Sequence, residues 1–346
     1  MTRLERLAAG LEDPLLVTSR VNVRYLVGLD SSNAALLVEP DGETSLFTDS
    51  RYALRAGAVQ GVAFRQTRRN VVGELAELLA GRRVGVEGAT LTVAQWETLR
   101  AGGVEPVLTQ GVVERLRAVK DPGEIDALRA AAALSDLLFD ELARQRFAGR
   151  TERELAWWIE RRFRELGAEK VAFDVLVAAG VNGASPHAEV RDVPIPPGTL
   201  VTVDAGCVVD GYCSDCTRTF ATGELPGQLA EIYALCRQAQ QAGLDAVGPG
   251  VGGRDADAAS RNPIQEAGYG EAYGHGMGHG IGLEVHEAPA LRPESEDVLE
   301  AGNVVSVEPG IYLPGVGGVR IEDQVLVTEH GAERLTAFTK DLLTVG

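Results

Sequence analysis

The run Leu200-Val201-Thr202-Val203-Asp204-Ala205-Gly206, with Tyr212-Cys213-Ser214-Asp215-Cys216-Thr217-Arg218-Thr219-Phe220 after it, decides the fold of the larger part of the chain. Both stretches are short and rich in β-branched and apolar residues, and glycine bounds them, so they read as buried strands. Each carries one aspartate. Asp204 closes the first strand, where a carboxylate is costly to desolvate unless it is hydrogen-bonded or bound to a cation. A hairpin joining the two runs brings Asp204 and Asp215 side by side on one face. The blander alternative is that each caps a strand end or pairs with an arginine such as Arg218. For either aspartate alone, that alternative stands first.

Working outward, helices are expected at about 123–146 and 151–166 before these strands, and at about 226–246 and 255–267 after them. Short strands follow from Gly280 to Val327. The order helix, strands, helix, strands suggests two related halves that pack helices against a curved antiparallel sheet. Asp121 precedes Pro122, with Glu124 three residues on, which predicts a capping box at the start of the first helix. The domain boundary is placed at this turn, giving domains 1–118 and 119–346. The first domain alternates strands (15–18, 34–39, 44–48, 83–87) with helices (71–79, 93–101) and reads as α/β. Pro40-Asp41-Gly42 supplies a hairpin turn within it.

Two further elements carry chemistry. In His275-Gly276-Met277-Gly278-His279-Gly280-Ile281-Gly282, followed by His286, three of the chain's five histidines stand among glycines. The glycines disfavour a regular helix and let the backbone approach a ligand or another strand closely. The alternative is a flexible loop with incidental histidines. In Val307-Glu308-Pro309-Gly310 and Val319-Arg320-Ile321-Glu322-Asp323, a glutamate ends each apolar run. Two aspartates, one histidine and two glutamates form an oxygen-rich set suited to a pair of divalent ions. Such a pair acidifies a shared water and clamps the attacking and leaving atoms.

Composition narrows the alternatives. The 346 residues include 33 basic and 50 acidic side chains, a formal net charge of −17. That argues against nucleic acid, whose sequence-independent binding needs a cationic face, and equally against a polybasic membrane surface. Apolar residues make up 45% and charged residues 24%, as in a chain that can bury a sizeable core. No apolar run reaches membrane-spanning length and no secretory leader is evident. The four cysteines are too few and too clustered for a disulfide framework. A reduced, cytoplasmic setting is therefore expected. Cys213-Ser214-Asp215-Cys216 lacks the second pair a zinc site needs. The glycine-rich turn at 248–253 lacks the Lys-Ser/Thr of a phosphate loop. Trp157-Trp158 reads as helix core or an interface.

At this point the chain resembles a known family. Asp204 through Asp215, the His279 glycine motif, Glu308-Pro309-Gly310 and Arg320-Ile321-Glu322-Asp323 look like the pita-bread metallopeptidases, and within them the Xaa-Pro peptidases, prolidase and aminopeptidase P. Arg24-Tyr25-Leu26-Val27-Gly28, Thr48-Asp49-Ser50-Arg51-Tyr52 and Lys120 with Glu124 are similar, more weakly, to the family's N-terminal domain and linker. The resemblance implies an α+β chain: an α/β creatinase-like N-terminal domain and a pita-bread catalytic domain of two αββ-type halves. It implies that Asp204 binds one of two metal ions through both oxygens. Asp215 and Glu322 bridge the ions, and His279 and Glu308 complete the second. Glu308 doubles as general base, His286 contacts the substrate carbonyl, and His187, in Ser185-Pro186-His187, lines the proline pocket. Tyr312 and Arg320 match residues that orient the ligands. For His275, substrate contact and loop support stay open.

The expected reaction is hydrolysis of the bond between an N-terminal residue and proline, with a dipeptidase placed before an aminopeptidase P acting on longer peptides. Manganese is the favoured metal, with cobalt or zinc as alternatives, and a homodimer is expected. Arg51 is the candidate contact for a dipeptide's free carboxylate, against the alternative that it pairs with Asp49 or packs on Tyr52. A rival from another class is a non-catalytic pita-bread binding module, which the intact ligand set opposes. A methionine aminopeptidase commonly lacks such an N-terminal domain, and a creatine-hydrolysing relative would not keep every ligand.

Overall fold

Short runs, apolar in the first two and almost wholly buried in all three, draw Leu15–Val17, Ala34–Val38 and Thr44–Asp49 into an antiparallel meander, and Pro40-Asp41-Gly42 turns the chain between the last two. Gly42 takes φ 93°, a conformation open to glycine at no steric cost. The computed structural model describes residues 1–346 and separates into two units, Met1–Arg117 and Ala118–Gly346. In the first unit the meander continues on both flanks into one six-stranded sheet. Its order is Ala63–Thr67, Thr44–Asp49, Ala34–Val38, Leu15–Val17, Arg83–Glu87, Glu105–Thr109. Helices Val71–Leu78 and Val93–Ala101 bury Leu75 and Leu99 in a core with Leu37, Phe47, Val84 and Val86. The two outermost strands escaped the sequence reading. They carry Arg65, Gln66 and Pro106, residues suited to a half-solvated edge, so the apolar run that marks the inner strands is missing.

The second unit opens with the expected capping box. Asp121 accepts from the Glu124 N–H at 3.0 Å, Glu124 accepts from the Asp121 N–H at 3.0 Å, and Pro122 takes the first helical position. Two helices, Pro122–Leu142 and Glu152–Glu165, lead into the strands of a first half. Gly227–Ala246 and Gly253–Glu266 lead into those of a second. The first helix stops before Arg146, and the turn after it drops Phe147 into the core beside Phe139, Phe163 and Phe220. Trp157 is not core: it is 66% exposed, on the face of its helix opposite Leu155, Ile159 and Phe163. No helix is long and apolar enough to cross a membrane.

The decisive run folds less simply than a hairpin. Leu200–Asp204 pairs antiparallel with Leu176–Ala179 on one side and Thr217–Ala221 on the other. Cys207–Val209 and Tyr212–Cys213 form a separate ladder. Ser214, Asp215 and Cys216 lie between the two pairings. The Ser214 N–H donates to the Cys207 carbonyl at 2.8 Å and the Cys207 N–H to Ser214 Oγ at 2.9 Å. A Cβ at Gly206 would overlap the Ser214 carbonyl oxygen, so this crossing needs glycine. The corner turns Asp215 out of ladder register and toward Asp204.

In the second half, Gly278–Gly280 lies between Glu287–Leu291 and Val304–Val307 in a five-stranded sheet completed by Asp323–Thr328 and Gly331–Arg334. Side chains at Gly278 and Gly280 would overlap the carbonyl oxygens of Ser306 and Ala288. The histidine-rich glycines therefore serve close strand approach, one of the two readings left open.

Candidate metal centre

Three carboxylates, Asp204 half-buried and Asp215 and Glu322 buried, converge where the halves meet. Asp204 ends its strand, Asp215 sits in the corner, and Glu322 lies between Gly317–Arg320 and Asp323–Thr328. Their oxygens come within 4.8 Å of one another. Thr217, unnoticed in the sequence, donates its hydroxyl to Glu322 Oε2 at 2.8 Å and takes the Glu322 N–H on its carbonyl at 3.1 Å. Beside this cluster, His279 Nε2 lies 3.0 Å from Glu308 Oε1 and 3.7 Å from Asp215 Oδ2. Asp215 thus belongs to two adjoining donor sets. The first half supplies Asp204 and Asp215; the second supplies His279, Glu308 and Glu322.

The donor chemistry fits divalent cations. Asp204 Oδ1 and Glu322 Oε1 are buried without a hydrogen-bond partner. The single guanidinium among these acids is Arg320, whose Nη2 donates to Asp204 Oδ2 at 2.6 Å. His279 Nδ1 faces the Gly280 carbonyl at 3.1 Å, which fixes its proton there and leaves Nε2 for a ligand. The Ser306 hydroxyl holds Glu308 Oε1 at 3.0 Å and accepts the His279 N–H at 3.0 Å, tying the two donors together.

A hydrogen-bonded chain supports the centre from behind. His275 Nε2 meets the Tyr312 hydroxyl at 2.9 Å, Tyr312 accepts from Arg320 Nη1 at 2.9 Å, and Arg320 grips Asp204. With Nδ1 against the Gly276 carbonyl at 2.8 Å, and burial lowering its pKa, His275 stands neutral and accepts from Tyr312. Asp257 accepts the Met277 N–H at 2.8 Å and pairs with Arg261, which donates to the His275 carbonyl at 2.6 Å. Asp257 and Arg261, one turn apart on a helix, went unread because such pairs are usually solvated.

A cavity of about 650 Å³ opens over the centre, lined by Asp204, Asp215, His279 and Glu308, and also by His187, His275, His286 and Arg320. The His286 ring stands edge-on to His279, centroids 4.2 Å apart. Arg292 and Phe173 also line it, and neither was singled out from sequence. Tyr312 reaches the centre through Arg320. Arg218 pairs with Asp323 at 2.8 Å instead of either aspartate. Arg51 stays within the first unit, where it forks onto Asp49 (Nε to Oδ1 2.9 Å, Nη2 to Oδ2 2.7 Å) with its guanidinium 5.3 Å from the Tyr52 ring centre.

Electrostatics follow from this crowding. Burial, then repulsion from Glu322 and Asp204, holds Asp215 well above the usual carboxylate range; burial, then Glu308 and Asp204, does the same for Glu322. Burial pushes Glu308 up as well, but the hydrogen bond and charge of His279, with His275 and Arg320, outweigh it and bring Glu308 down to about 2. Without cations, Asp215 and Glu322 keep protons in the folded chain that unfolded carboxylates lose. Unfolding then releases protons, so stability falls as pH rises from about 4 through the raised folded values. Chelated protein is expected to melt at a lower temperature at about pH 8 than at about pH 5.5, with added Mn²⁺ closing the gap. Thermal scans showing the opposite trend would mean these carboxylates are charged in the metal-free chain.

With this geometry in hand, the comparisons define the class: the chain belongs to metallopeptidase family M24, matched over residues 126–329, and residues 3–119 match the creatinase/prolidase N-terminal domain. Among individual relatives, the Xaa-Pro dipeptidase of Pyrococcus furiosus is 34% identical over 351 residues, covering 99% of each chain. The solved Xaa-Pro dipeptidase from Bacillus anthracis superposes with a TM-score of 0.94 at 38% identity, covering 99% of each chain. An X-Pro aminopeptidase from Thermotoga maritima superposes with a TM-score of 0.89 at 32% identity, covering 99% of this chain and 100% of that one.

Proposed function

We propose that this metallopeptidase cleaves the bond between an N-terminal residue and proline, with dipeptides as its first substrates. The observation that carries the reading is Asp215 lying close both to Asp204 and Glu322 and to His279, which supports two cation positions side by side under one cavity. Asp204, Asp215 and Glu322 would hold one ion, and Asp215, Glu322, His279 and Glu308 the other. Oxygen-rich donors favour manganese over cobalt or zinc. Such ions, when bound, polarise the scissile carbonyl and make water acidic enough to attack.

The chain's own residues complete the reaction. Glu308, kept ionised, takes the proton of the attacking water on Oε2, the oxygen that Ser306 and His279 leave open. It then returns the proton to the proline nitrogen, a tertiary amide nitrogen that must be protonated to leave. Burial, then the neighbouring His279, lowers the pKa of His286, so it stands neutral and donates its ring N–H to the developing oxyanion. His187 packs on the proline side. Four buried, free cysteines accord with a reducing cytoplasm, and the homodimer expected from the resemblance would show by light scattering.

A dipeptide brings a free carboxylate into the cavity, where a guanidinium suits it best. We assign that contact to Arg292 in place of Arg51, which is committed to Asp49. Arg292 lines the cavity with its stem against Gly276, where an added Cβ would lie 2.8 Å from Arg292 Cβ. It makes no ion pair, whereas Arg320 is shared among Asp204, Thr217, Tyr312 and the Pro186 carbonyl. Digestion of Ala-Pro, Ala-Pro-Ala and Met-Ala-Ser with Mn²⁺ tests the function; cleavage of Met-Ala-Ser alone overturns it. Arg292→Ala is expected to raise KM for Ala-Pro about tenfold, the scale of one lost charged contact, while sparing Ala-Pro-Ala. Equal losses on both substrates would remove Arg292 from the carboxylate site. Faster cleavage of the tripeptide by the wild type would favour the aminopeptidase reading.

A further inference from the structure

His187 sits near the crest of a loop with little apolar anchorage. Residues 180–184 form a short 3-10 helix, Ser185, His187 and Glu189 are exposed, and only Val190 packs partly against the core. A loop so poor in buried apolar surface takes its shape from its polar bonds. Those bonds converge on one carboxylate outside the cavity. Glu152, the first residue of helix Glu152–Glu165, is 1% exposed. Its Oε1 accepts from the Ala179 N–H at 2.9 Å and from Arg191 Nη2 at 3.0 Å. Its Oε2 accepts from Asn182 Nδ2 at 2.9 Å and from the Arg191 N–H at 2.7 Å. Asn182 also donates to the Glu189 carbonyl at 3.0 Å, tying one limb of the loop to the other. At the crest, Arg320 Nη1 donates to the Pro186 carbonyl at 3.1 Å, one residue before His187.

We propose that Glu152 is a positioning residue for His187: by gathering both ends of the 180–191 loop on one buried carboxylate, it fixes where that histidine stands over the centre. The inference rests on the reading that His187 contacts the proline side of the substrate. Arg191 is its partner in the brace. None of the metal donors bonds to Glu152 or Arg191, and Arg320 keeps its own bond to Asp204, so the main effect falls on substrate binding.

The test compares the Mn²⁺-loaded wild type with Glu152→Ala, Arg191→Ala, His187→Ala and the Glu152→Ala/His187→Ala double variant. Glu152→Ala is expected to raise KM for Ala-Pro about tenfold with kcat and bound manganese held, and Arg191→Ala to do so less. Amide exchange should accelerate across 180–191 and nowhere else. The double variant should be no worse than His187→Ala, since both changes remove the same contact. Should Glu152→Ala fail to fold, Glu152→Gln and Arg191→Ala carry the comparison, because the amide keeps one acceptor and turns a donor toward the loop's donors. Multiplied KM effects in the double variant, lost manganese, or unchanged loop exchange would overturn the proposal. Failure of the functional reading shows separately, as a wild type that leaves Ala-Pro uncut.

Discussion

Asp215→Asn is expected to abolish turnover, by more than the roughly 10²–10³-fold that loss of a single oxyanion donor costs, and to strip manganese from both positions. Asparagine has the same shape, so the Ser214-Asp215-Cys216 corner keeps its backbone bonds. What goes is one of the two carboxylate charges, the other being Glu322, that the two proposed donor sets share. The same change removes the cost of holding Asp215 protonated beside Glu322 and Asp204 at neutral pH, so the chelated variant should melt above the chelated wild type. Those two opposite signs, weaker metal binding with a more stable metal-free chain, follow only if Asp215 is held there against repulsion to bind cations. An active variant with two ions per chain would sink the assignment.

His286 and His279 touch edge to face, yet their substitution should separate cleanly. His286→Ala is expected to lower kcat by about 10²–10³-fold with manganese retained, because on the proposed reading this ring would serve the developing oxyanion and not the ions. His279→Ala should lose manganese, since its Nε2 is the one nitrogen directed at both Glu308 and Asp215. Elemental analysis with single-turnover rates checks both. Matching metal content and rate in the two variants would overturn this division of roles.

What could be read from sequence was whatever local chemistry writes down. The Asp121 capping box needs only residues three apart, and the Pro40-Asp41-Gly42 hairpin only the turn chemistry between two apolar runs. The metal-binding candidates were legible because carboxylates that end apolar runs are conspicuous. What stayed hidden depends on distant partners. The corner that aims Asp215 is set by the approach of Gly206 to Ser214, and the polarity of Thr217 and Ser306 gives no hint that they hold Glu322 and Glu308. Arg320 was marked only by the resemblance; the fold brings Asp204 to its Nη2, Tyr312 and the Pro186 carbonyl to Nη1, and Thr217 to Nε. Arg51 was a candidate only through its motif, against the pairing with Asp49 that the structure shows, while Arg292, which lines the cavity, lies in a stretch with no motif at all. Glu152 reads as an ordinary acidic residue in a first helical turn.

Neither half of the second unit owns the centre: two aspartates come from one, a histidine and two glutamates from the other. A chain in which one half has folded alone therefore holds a broken donor set, with too few groups to compete for scarce ions. During synthesis the aspartates emerge first and wait for Glu322, so a nascent chain carries no working peptidase. Ions held there would lie across the seam, bound by groups from both halves, so binding them and holding the halves together would draw on the same contacts.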